Sequence, residues 1–399
     1  MLPIGVRTVC LAVVLSAAAA AYSAEFTGFM HGVGIDGWLA NYKRPEFVAE
    51  KMRGILTLGD YEHFESFVTR ADVERIAKTG ADHIRVAVDQ TAIVDERGDM
   101  RKRVVAKLDE FVGWCETNRL NVVLDMHRVD GNERGNLSLF EVDSMQHRFS
   151  RMWLQLEAHY SSKKFIAFEL LNEPQAVDPR KWNSLVSRVV GGLRAVNKER
   201  IIIVGPVFWN DPKALEHLYV TNDPKVVYAF HMYKPLEFTH QRSVLDPDVY
   251  YYNRGMPYPT TDVERYRDFR RVLYSDLQPY RDEQKVDRAF LMRRMYEAIA
   301  FLEDNPKAVL WCGEFGVVDH ADLAWREAWM SDVAWLCRKH GIGYCAWSYL
   351  SRPGDIGSFS LCDPSTRELL SPAFADILAG KPRNMPAEML AGERGATAR

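Results

Sequence analysis

The chain has few cysteines: six in 399 residues, and no two of them form a CxxC pair. Cys10 lies in an N-terminal apolar segment, which leaves an odd number for the rest of the chain. A disulfide framework needs paired cysteines and a zinc site needs closely spaced ligands, so neither is predicted. Cys312 and Cys345 lie in apolar, strand-like runs and are interpreted as small buried residues. A bridge that involves Cys337 or Cys362 stays open.

The sequence also lacks an excess of charge of one sign. Its 51 Lys and Arg residues nearly balance 54 Asp and Glu residues, for a net charge of -3 with both signs interspersed. Nucleic acids and anionic membranes attract basic stripes, so neither is predicted as a partner, and a neutral substrate is favoured. No repeat of fixed period occurs, which argues against a solenoid.

The most apolar stretch is at the N-terminus. Arg7 precedes an apolar run and an alanine block that ends at Ala21. This is the layout of a secretory signal peptide, and the run is too short to span a membrane. We therefore predict a signal peptide over 1–24, one catalytic domain over 25–380 and a disordered tail over 381–399. The expected location is secreted or periplasmic, with no membrane attachment after cleavage.

Short runs rich in β-branched residues alternate with longer segments of helical period. The predicted strands are Gly28 to Ile35, His83 to Val88, Asn121 to Met126, Phe165 to Leu171, Ile201 to Val204, Val226 to Met232, Ala308 to Glu314 and Gly343 to Trp347. Predicted helices include Arg70 to Lys78, Arg103 to Asn118, Asp143 to His159, Lys181 to Val196, Val286 to Phe301 and Trp325 to His340. Strand then helix, repeated eight times, predicts an α/β fold: a single (β/α)8 TIM barrel.

One connection is much longer than the others. No apolar strand occurs between Lys234 and Lys285, where the chain is rich in tyrosine and carries a charged helical patch near Glu264 to Arg271. This insertion follows the sixth strand, so it is expected to rise from the catalytic face of the barrel. Long connections are commonly functional, and two interpretations stay open: the wall of a cleft, or a flap that packs on the rim.

Polar side chains collect at the carboxyl ends of the predicted strands, where barrel enzymes carry their functional residues. They are Arg85 in the second strand, His127 after the third, Asn172 and Glu173 after the fourth, His231 and Tyr233 at the sixth, Glu314 at the seventh and Trp347 at the eighth. Two carboxylates among such groups are what cleavage of a glycosidic bond requires. Pro174 disfavours helical geometry at the residue before it, which predicts an extended Glu173.

These residues resemble glycoside hydrolase family 5, the cellulase family within a clan of retaining barrel glycosidases. The resemblance runs from Gly32 to about Tyr349. It implies that Glu173, in Asn172-Glu173-Pro174, is the acid/base and that Glu314 is the nucleophile. By the same resemblance, the remaining active-site positions are Arg85, His127, Asn172, His231, Tyr233 and Trp347. No metal or organic cofactor is implied, because two carboxylates supply the chemistry.

The two carboxylates need opposite protonation states in such a mechanism. We expect Arg85 and the Tyr233 hydroxyl to stabilise ionised Glu314 and lower its pKa. The negative charge of Glu314 then favours the protonated form of Glu173. Pairing of Arg85 with a buried acid is compatible with this role.

The other polar groups are expected to bind sugar. Asn172 would bind the 2-hydroxyl at the cleavage site, and His127 and His231 would bind neighbouring hydroxyls. Trp347 is predicted to be an apolar platform for a sugar face, with Trp38 and Trp209 as candidates for further subsites. The alternative for Trp38 and Trp209 is a place in the core, where large aromatic side chains are common.

The leading predicted function is an endo-β-1,4-glucanase that acts on a β-linked polysaccharide or oligosaccharide. The alternatives are a β-mannanase, a xyloglucanase or an exo-acting β-glucosidase, and a more remote one is a carbohydrate-binding protein without catalysis. Two residues depart from the family pattern: Arg128 where a second histidine is frequent, and Gly34 where an asparagine is frequent. The insertion and the segment from Asn41 to Phe67 are expected to decide the substrate, and the oligomeric state stays open.

Overall fold

The structure is a computed structural model that describes residues 26–42, 55–133, 135–274, 278–351 and 357–382. Eight parallel strands close into a barrel in sequence order. They are β1 (His31–Leu39), β2 (His83–Asp89), β3 (Asn121–Arg128), β4 (Ile166–Glu169), β5 (Ile202–Val204), β6 (Val226–Met232), β7 (Val309–Phe315) and β8 (Gly343–Ala346). The predicted (β/α)8 barrel is confirmed, with each predicted strand overlapping an observed one.

Helices cover the outside of the barrel. They are α1 (Leu58–Ser66), α2 (Arg70–Thr79), α3 (Gln90–Ile93), α4 (Lys102–Thr117), α5 (Ser138–Glu141), α6 (Asp143–Tyr160), α7 (Pro179–Val196), α8 (Leu236–Thr239), α9 (Pro247–Tyr252), α10 (Val263–Leu273), α11 (Arg288–Arg294), α12 (Tyr296–Asp304), α13 (Leu323–Lys339) and α14 (Pro372–Leu378). The predicted helix from Val286 to Phe301 is wrong in one respect, because the chain breaks at Met295 into α11 and α12. Neither proline nor glycine marks this break in the sequence.

The interior of the barrel is apolar near the amino ends of the strands and polar near their carboxyl ends. The polar end is called the mouth of the barrel below. Val123 and Ala167 face the inside near the amino ends of β3 and β4, where they pack with Phe26, Phe29 and Trp311 in an apolar cluster. Two residues further along a strand, a side chain points to the same face. The next inward positions are therefore polar, and the interior of the barrel changes from hydrocarbon to charge within one layer.

The insertion after β6 contains helices α8 to α10, and the predicted charged patch is the helix Val263–Leu273. Glu237 of α8 is buried and accepts a hydrogen bond from the Tyr280 hydroxyl at 2.6 Å. Tyr258 is also buried and donates to Asp332 of α13 at 2.7 Å. The first contact joins two parts of the insertion to each other, and the second attaches the insertion to helix α13 of the barrel wall.

The described cysteines, which are Cys115, Cys312, Cys337, Cys345 and Cys362, are all buried and unbridged. The buried position predicted for Cys312 and Cys345 is confirmed. The predicted signal peptide and residues 383–399 of the predicted tail lie outside the described residues. Among the helices that the structure describes, none combines the length and the apolar character needed to cross a membrane.

Candidate active site

Arg85 stands at the centre of the polar mouth. Its guanidinium group is fully buried, and Nη1 donates to Glu314 Oε1 at 2.6 Å. Nε and Nη2 donate to the two carboxylate oxygens of Glu169 at 2.7 and 3.1 Å. Nη2 also lies 3.0 Å from Asp125 Oδ2 and donates to Asn172 Oδ1 at 2.9 Å. One buried cation thus holds three carboxylates and an amide in fixed positions.

Glu314 is held in the ionised form by its surroundings. Burial favours its neutral form, but the charges of His231, Arg85 and His127 and the Tyr233 hydroxyl outweigh burial and lower the pKa of Glu314 to about 2. Tyr233 donates to Oε2 at 2.8 Å, while Arg85 donates to Oε1. The expected support of Glu314 by Arg85 and Tyr233 is present in the geometry. An ionised carboxylate with both oxygens fixed is suited to act as a nucleophile.

Glu173 lies beyond the end of β4 in a conformation that differs from the predicted one. Its φ is +47°, in the left-handed region, so the prediction of an extended Glu173 is wrong. The extended geometry that proline favours at the residue before it is therefore overridden at Glu173. The conformation is costly for a residue with a side chain, and surrounding contacts must hold it.

Asn132 supplies contacts that hold this segment. Its amide nitrogen donates to the Glu173 carbonyl at 3.3 Å, and its Oδ1 accepts from the Gln175 N–H at 2.8 Å. The side chain of Asn132 is buried, so these bonds are shielded from water. The backbone on both sides of Pro174 is thus held by a side chain from the loop that follows β3.

His231 lies between the two glutamates. Its Nδ1 is 3.0 Å from Glu173 Oε1 and 3.6 Å from Glu314 Oε2. One oxygen of each carboxylate and one ring nitrogen of His231 all lie within 4.8 Å of one another. Burial lowers the pKa of His231, but Glu314 and Glu173 raise it, and the net shift is upward. A proton on Nδ1 therefore faces both carboxylates.

His127 and Trp347 form the opposite wall of the mouth. The His127 ring stacks on the indole with centroids 5.3 Å apart and planes at 7°, and its Nδ1 lies 2.7 Å from Asp125 Oδ2. Burial opposes the charge of His127, but Asp125 and Glu314 raise its pKa to about 9. A Cβ atom at Gly34 would lie 2.6 Å from Trp347 Cε3. The glycine at this position therefore allows the indole to take its place.

The two further tryptophans have different surroundings. Trp38 is fully buried, donates from Nε1 to the Phe64 carbonyl at 2.8 Å and packs on Phe111. The prediction of a sugar subsite at Trp38 is wrong, because the side chain points outward to α1 and α4. Trp209 is 54% exposed and follows β5, so its role as a subsite stays a prediction.

Sequence reasoning found Arg85, Asn172, Glu173, His231, Tyr233 and Glu314, which the structure brings together in one cluster. It missed Glu169 and Asn132. Glu169 had a usable signal, since it is a charged residue in an otherwise apolar strand, Ile166–Glu169. Asn132 had none, because it lies in a polar loop where asparagine is common.

Known proteins resemble this chain over most of its length. The model of the family described as cellulase (glycosyl hydrolase family 5) matches residues 46–352. Endoglucanase C of Acetivibrio thermocellus is 33% identical over 329 residues, which cover 80% of this chain and 91% of that protein. Cellodextrinase A of Ruminococcus flavefaciens is 24% identical over 323 residues, or 79% of this chain and 84% of that protein.

Solved structures share the fold at lower sequence identity. Cel5A of Thermotoga maritima, solved in complex with cellobiose, has a TM-score of 0.68 at 20% identity and covers 90% of this chain and 98% of its own. The cellulose synthase subunit Z of Clostridioides difficile has a TM-score of 0.66 at 20% identity and covers 89% and 100%. Both similarities extend over the complete barrel.

Proposed function

Since the chain belongs to glycosyl hydrolase family 5, the cellulase family, we propose that it is an endo-β-1,4-glucanase. We further propose that it retains the anomeric configuration of its substrate. The observation that carries the proposal is the proximity of Glu173 and Glu314, each with an oxygen within 4.8 Å of the other and of His231. Retaining enzymes place their carboxyl groups about 5 Å apart, whereas inverting enzymes leave room for a water molecule between them at about 6.5–9.5 Å.

In the first step, an ionised oxygen of Glu314 attacks the anomeric carbon. The bond from that carbon to the leaving oxygen breaks, and the leaving oxygen takes the proton of Glu173. Arg85 and Tyr233, which each donate to one oxygen of Glu314, hold the carboxylate in a fixed plane during the attack. The step ends with a glycosyl ester on Glu314 and a carboxylate on Glu173.

In the second step, Glu173 takes a proton from a water molecule while the oxygen of that water molecule attacks the anomeric carbon. The ester bond breaks, its electron pair returns to Glu314, and Glu173 is again protonated. Two displacements at one carbon restore its original configuration. The proton of His231 Nδ1 lies within reach of whichever glutamate carries the charge.

Asn172 is proposed to bind the 2-hydroxyl of the sugar at the cleavage site. Its Oδ1 already accepts from Arg85, so its amide N–H groups are the part that faces a sugar hydroxyl. This contact strengthens as positive charge develops on the sugar in the transition state. We assign His127 to a neighbouring hydroxyl, Trp347 to an apolar sugar face and the exposed Trp209 to a further subsite.

The substrate is proposed to be β-1,4-linked glucan, on two grounds. Several curated relatives carry endoglucanase names, and Endoglucanase C is similar over most of its own length. The mouth itself offers hydrogen-bonding groups for sugar hydroxyls, among them the amide of Asn172 and the ring of His127. A Thermotoga maritima Cel5A structure contains mannotriose, so mannan belongs in any substrate panel.

Secretion is part of the proposal, because polymeric glucan does not enter the cell. Cleavage of residues 1–24 as a signal peptide would release the barrel to the periplasm or the medium. The mass of the mature protein tests this directly. A mature chain that still begins at residue 1 would contradict it.

The nucleophile is tested by Glu314→Ala with an activated cellobioside. Hydrolysis should fall by about 10⁴-fold or more, and azide should restore turnover to a glycosyl azide of inverted configuration. The matched control is Glu303→Ala, which removes an exposed carboxylate of α12 and should leave the rate unchanged. Hydrolysis at the original rate by the Glu314 variant would refute the assignment.

The substrate and the mode of action need a second experiment. Carboxymethyl cellulose, mixed-linkage glucan, mannan and xyloglucan are incubated with the enzyme, and viscosity and reducing ends are measured together. An endo-glucanase lowers the viscosity of the glucans early, before many reducing ends form. Release of glucose without an early loss of viscosity would indicate the exo-acting alternative instead.

A further inference from the structure

Asn210 ends an unusual turn beside the catalytic cluster. Phe208, Trp209 and Asn210 follow β5 with φ values of +60°, +59° and +55°, which make one turn of left-handed helix. For Phe208 and Trp209 this conformation costs about 1–2 kcal/mol each, and for Asn210 less, because asparagine enters the left-handed region more readily. Strain of this kind persists where surrounding structure enforces it and is concentrated at functional sites. The turn therefore needs a reason beyond chain connection.

The turn brings the Asn210 amide onto His231. Asn210 is fully buried, and its amide nitrogen lies 3.1 Å from His231 Nε2. A Cβ atom at Gly205 would lie 2.2 Å from Asn210 Oδ1, so a glycine is required beneath the amide. Among the described residues, Oδ1 has no hydrogen-bond partner although it is buried. The amide is thus packed against the histidine with one oxygen left over.

The other ring nitrogen of His231 faces the catalytic carboxylates. Nδ1 lies near Glu173 and Glu314, and an ionised carboxylate only accepts hydrogen bonds, so ionised Glu314 favours a proton on Nδ1 in either charge state of the ring. Nε2 then accepts a hydrogen bond when the ring is neutral and donates one when it is charged. An amide can serve both states, because rotation by half a turn exchanges its donor and its acceptor.

We propose that Asn210 is a positioning residue for the acid/base: it holds the His231 ring so that Nδ1–H faces Glu173 and Glu314 throughout the reaction, whichever charge the ring carries. The inference rests on the proposed function, because it assigns Asn210 to the two-step mechanism. In that mechanism the negative charge moves from Glu314 to Glu173 and back. A fixed Nδ1–H donor faces both carboxylates, at 3.0 Å from Glu173 and 3.6 Å from Glu314, and so opposes the negative charge at either stage.

The charged and titratable groups around His231 come from several strands. Glu314 lies on β7, Glu173 follows β4, and Arg85 on β2 opposes the charge of the ring. Buried Glu169 on β4 also interacts with His231, and the Tyr233 ring meets it edge to face at 6.4 Å. Burial and Arg85 lower the pKa of His231, the carboxylates raise it, and the net shift is upward. Replacement of the Asn210 amide therefore changes the protonation of His231 without altering any of these carboxylates.

The test uses two variants with opposite expected effects. Asn210→Asp supplies only acceptors, so it favours the charged ring. The new carboxylate lies beside Nε2, on the far side of the ring from Glu173, so the nearer positive charge of the ring dominates and favours the ionised form of Glu173. The alkaline limb of kcat/KM should then move to lower pH by about 0.5–1 unit. Asn210→Leu supplies no partner for a charged ring, so the limb should move to higher pH. Asn183→Leu, which removes a surface amide of α7, is the matched control and should leave the limb in place.

A second readout is independent of activity. The ring nitrogen resonances of His231 in the complete protein report the charge of the ring. Compared with the original protein, the charged form should persist to higher pH in Asn210→Asp and should be lost at lower pH in Asn210→Leu. Asn210→Leu should also lose about tenfold or more in rate with a poor leaving group and much less with dinitrophenolate, which needs no acid.

The outcomes separate the inference from the function. If both variants keep the pH profile and ring resonances of the original protein, or if the losses are equal for both leaving groups, the inference is overturned. If Asn210→Leu does not fold, Asn210→Asp decides alone: a shift of its alkaline limb to lower pH supports the inference, and no shift or a shift to higher pH overturns it. If the original protein hydrolyses no β-glycan, the proposed function fails, whereas the ring resonances still report whether Asn210 controls His231.

Discussion

Removal of the Tyr233 hydroxyl is a direct test of the charge arrangement around Glu314. Tyr233→Phe keeps the ring and removes the 2.8 Å hydrogen bond to Oε2. A hydrogen bond to a charged group contributes about 1.5–3 kcal/mol, and about 1.4 kcal/mol corresponds to one pKa unit. The hydroxyl stabilises the ionised form, so its loss should raise the pKa of Glu314 from about 2. We expect a rise of about 1–2 units.

The acidic limb of kcat/KM against pH measures this change, because only ionised Glu314 attacks. The rate falls as the pH drops through the pKa of the nucleophile, so a raised pKa moves the limb to higher pH by the same amount. Tyr219→Phe, at an exposed tyrosine, is the control and should leave the limb unchanged. If Tyr233→Phe lowers the rate equally at every pH and the limb stays in place, the hydroxyl does not tune Glu314.

Three further predictions concern packing and buried charge. Arg85→Met leaves three buried carboxylates without their cation, so the free energy of unfolding should fall by about 3–5 kcal/mol or more; an unchanged denaturant midpoint would contradict the buried network. Gly34→Asn inserts the residue that is frequent in the family and should displace the Trp347 indole above it. It should raise KM on cello-oligosaccharides and lower the free energy of unfolding by about 1–3 kcal/mol. An unchanged KM would show that the indole can move freely. Trp38→Ala should lower the free energy of unfolding by about 3–5 kcal/mol and leave KM unchanged. Trp209→Ala should raise KM on long substrates with little loss of stability. The reverse pattern would mean that Trp38 binds substrate and Trp209 supports the core.

Much of the barrel could be predicted because its sequence signals are local. Apolar runs and helical periods mark strands and helices, and the strand order of a barrel follows the chain order. The catalytic side chains are predictable for the same reason, since they lie at strand ends that are visible in the sequence. Their mutual contacts then follow from the closure of the barrel.

The features that sequence reasoning missed depend on contacts between distant segments. The conformation of Glu173 is set in part by Asn132, about forty positions earlier in the chain. The outward direction of Trp38 follows from an irregular register between Ile35 and Leu39, where β1 pairs with β2. A periodic pattern cannot show such an irregularity, because it assumes that the alternation of faces continues unbroken along the strand.

The left-handed turn at Phe208, Trp209 and Asn210 sets a limit on how far the protein can be made heat-resistant. Glycine in place of Phe208 or Trp209 would relieve about 1–2 kcal/mol of backbone strain, and glycine in place of Asn210 less, because asparagine tolerates this conformation better. The loss of function would also differ: Phe208 has no proposed role, Trp209 is proposed as a sugar platform and Asn210 is proposed to position a histidine. A selection for thermal tolerance alone would accept all three changes, whereas a selection that also requires hydrolysis would accept the first and reject the last.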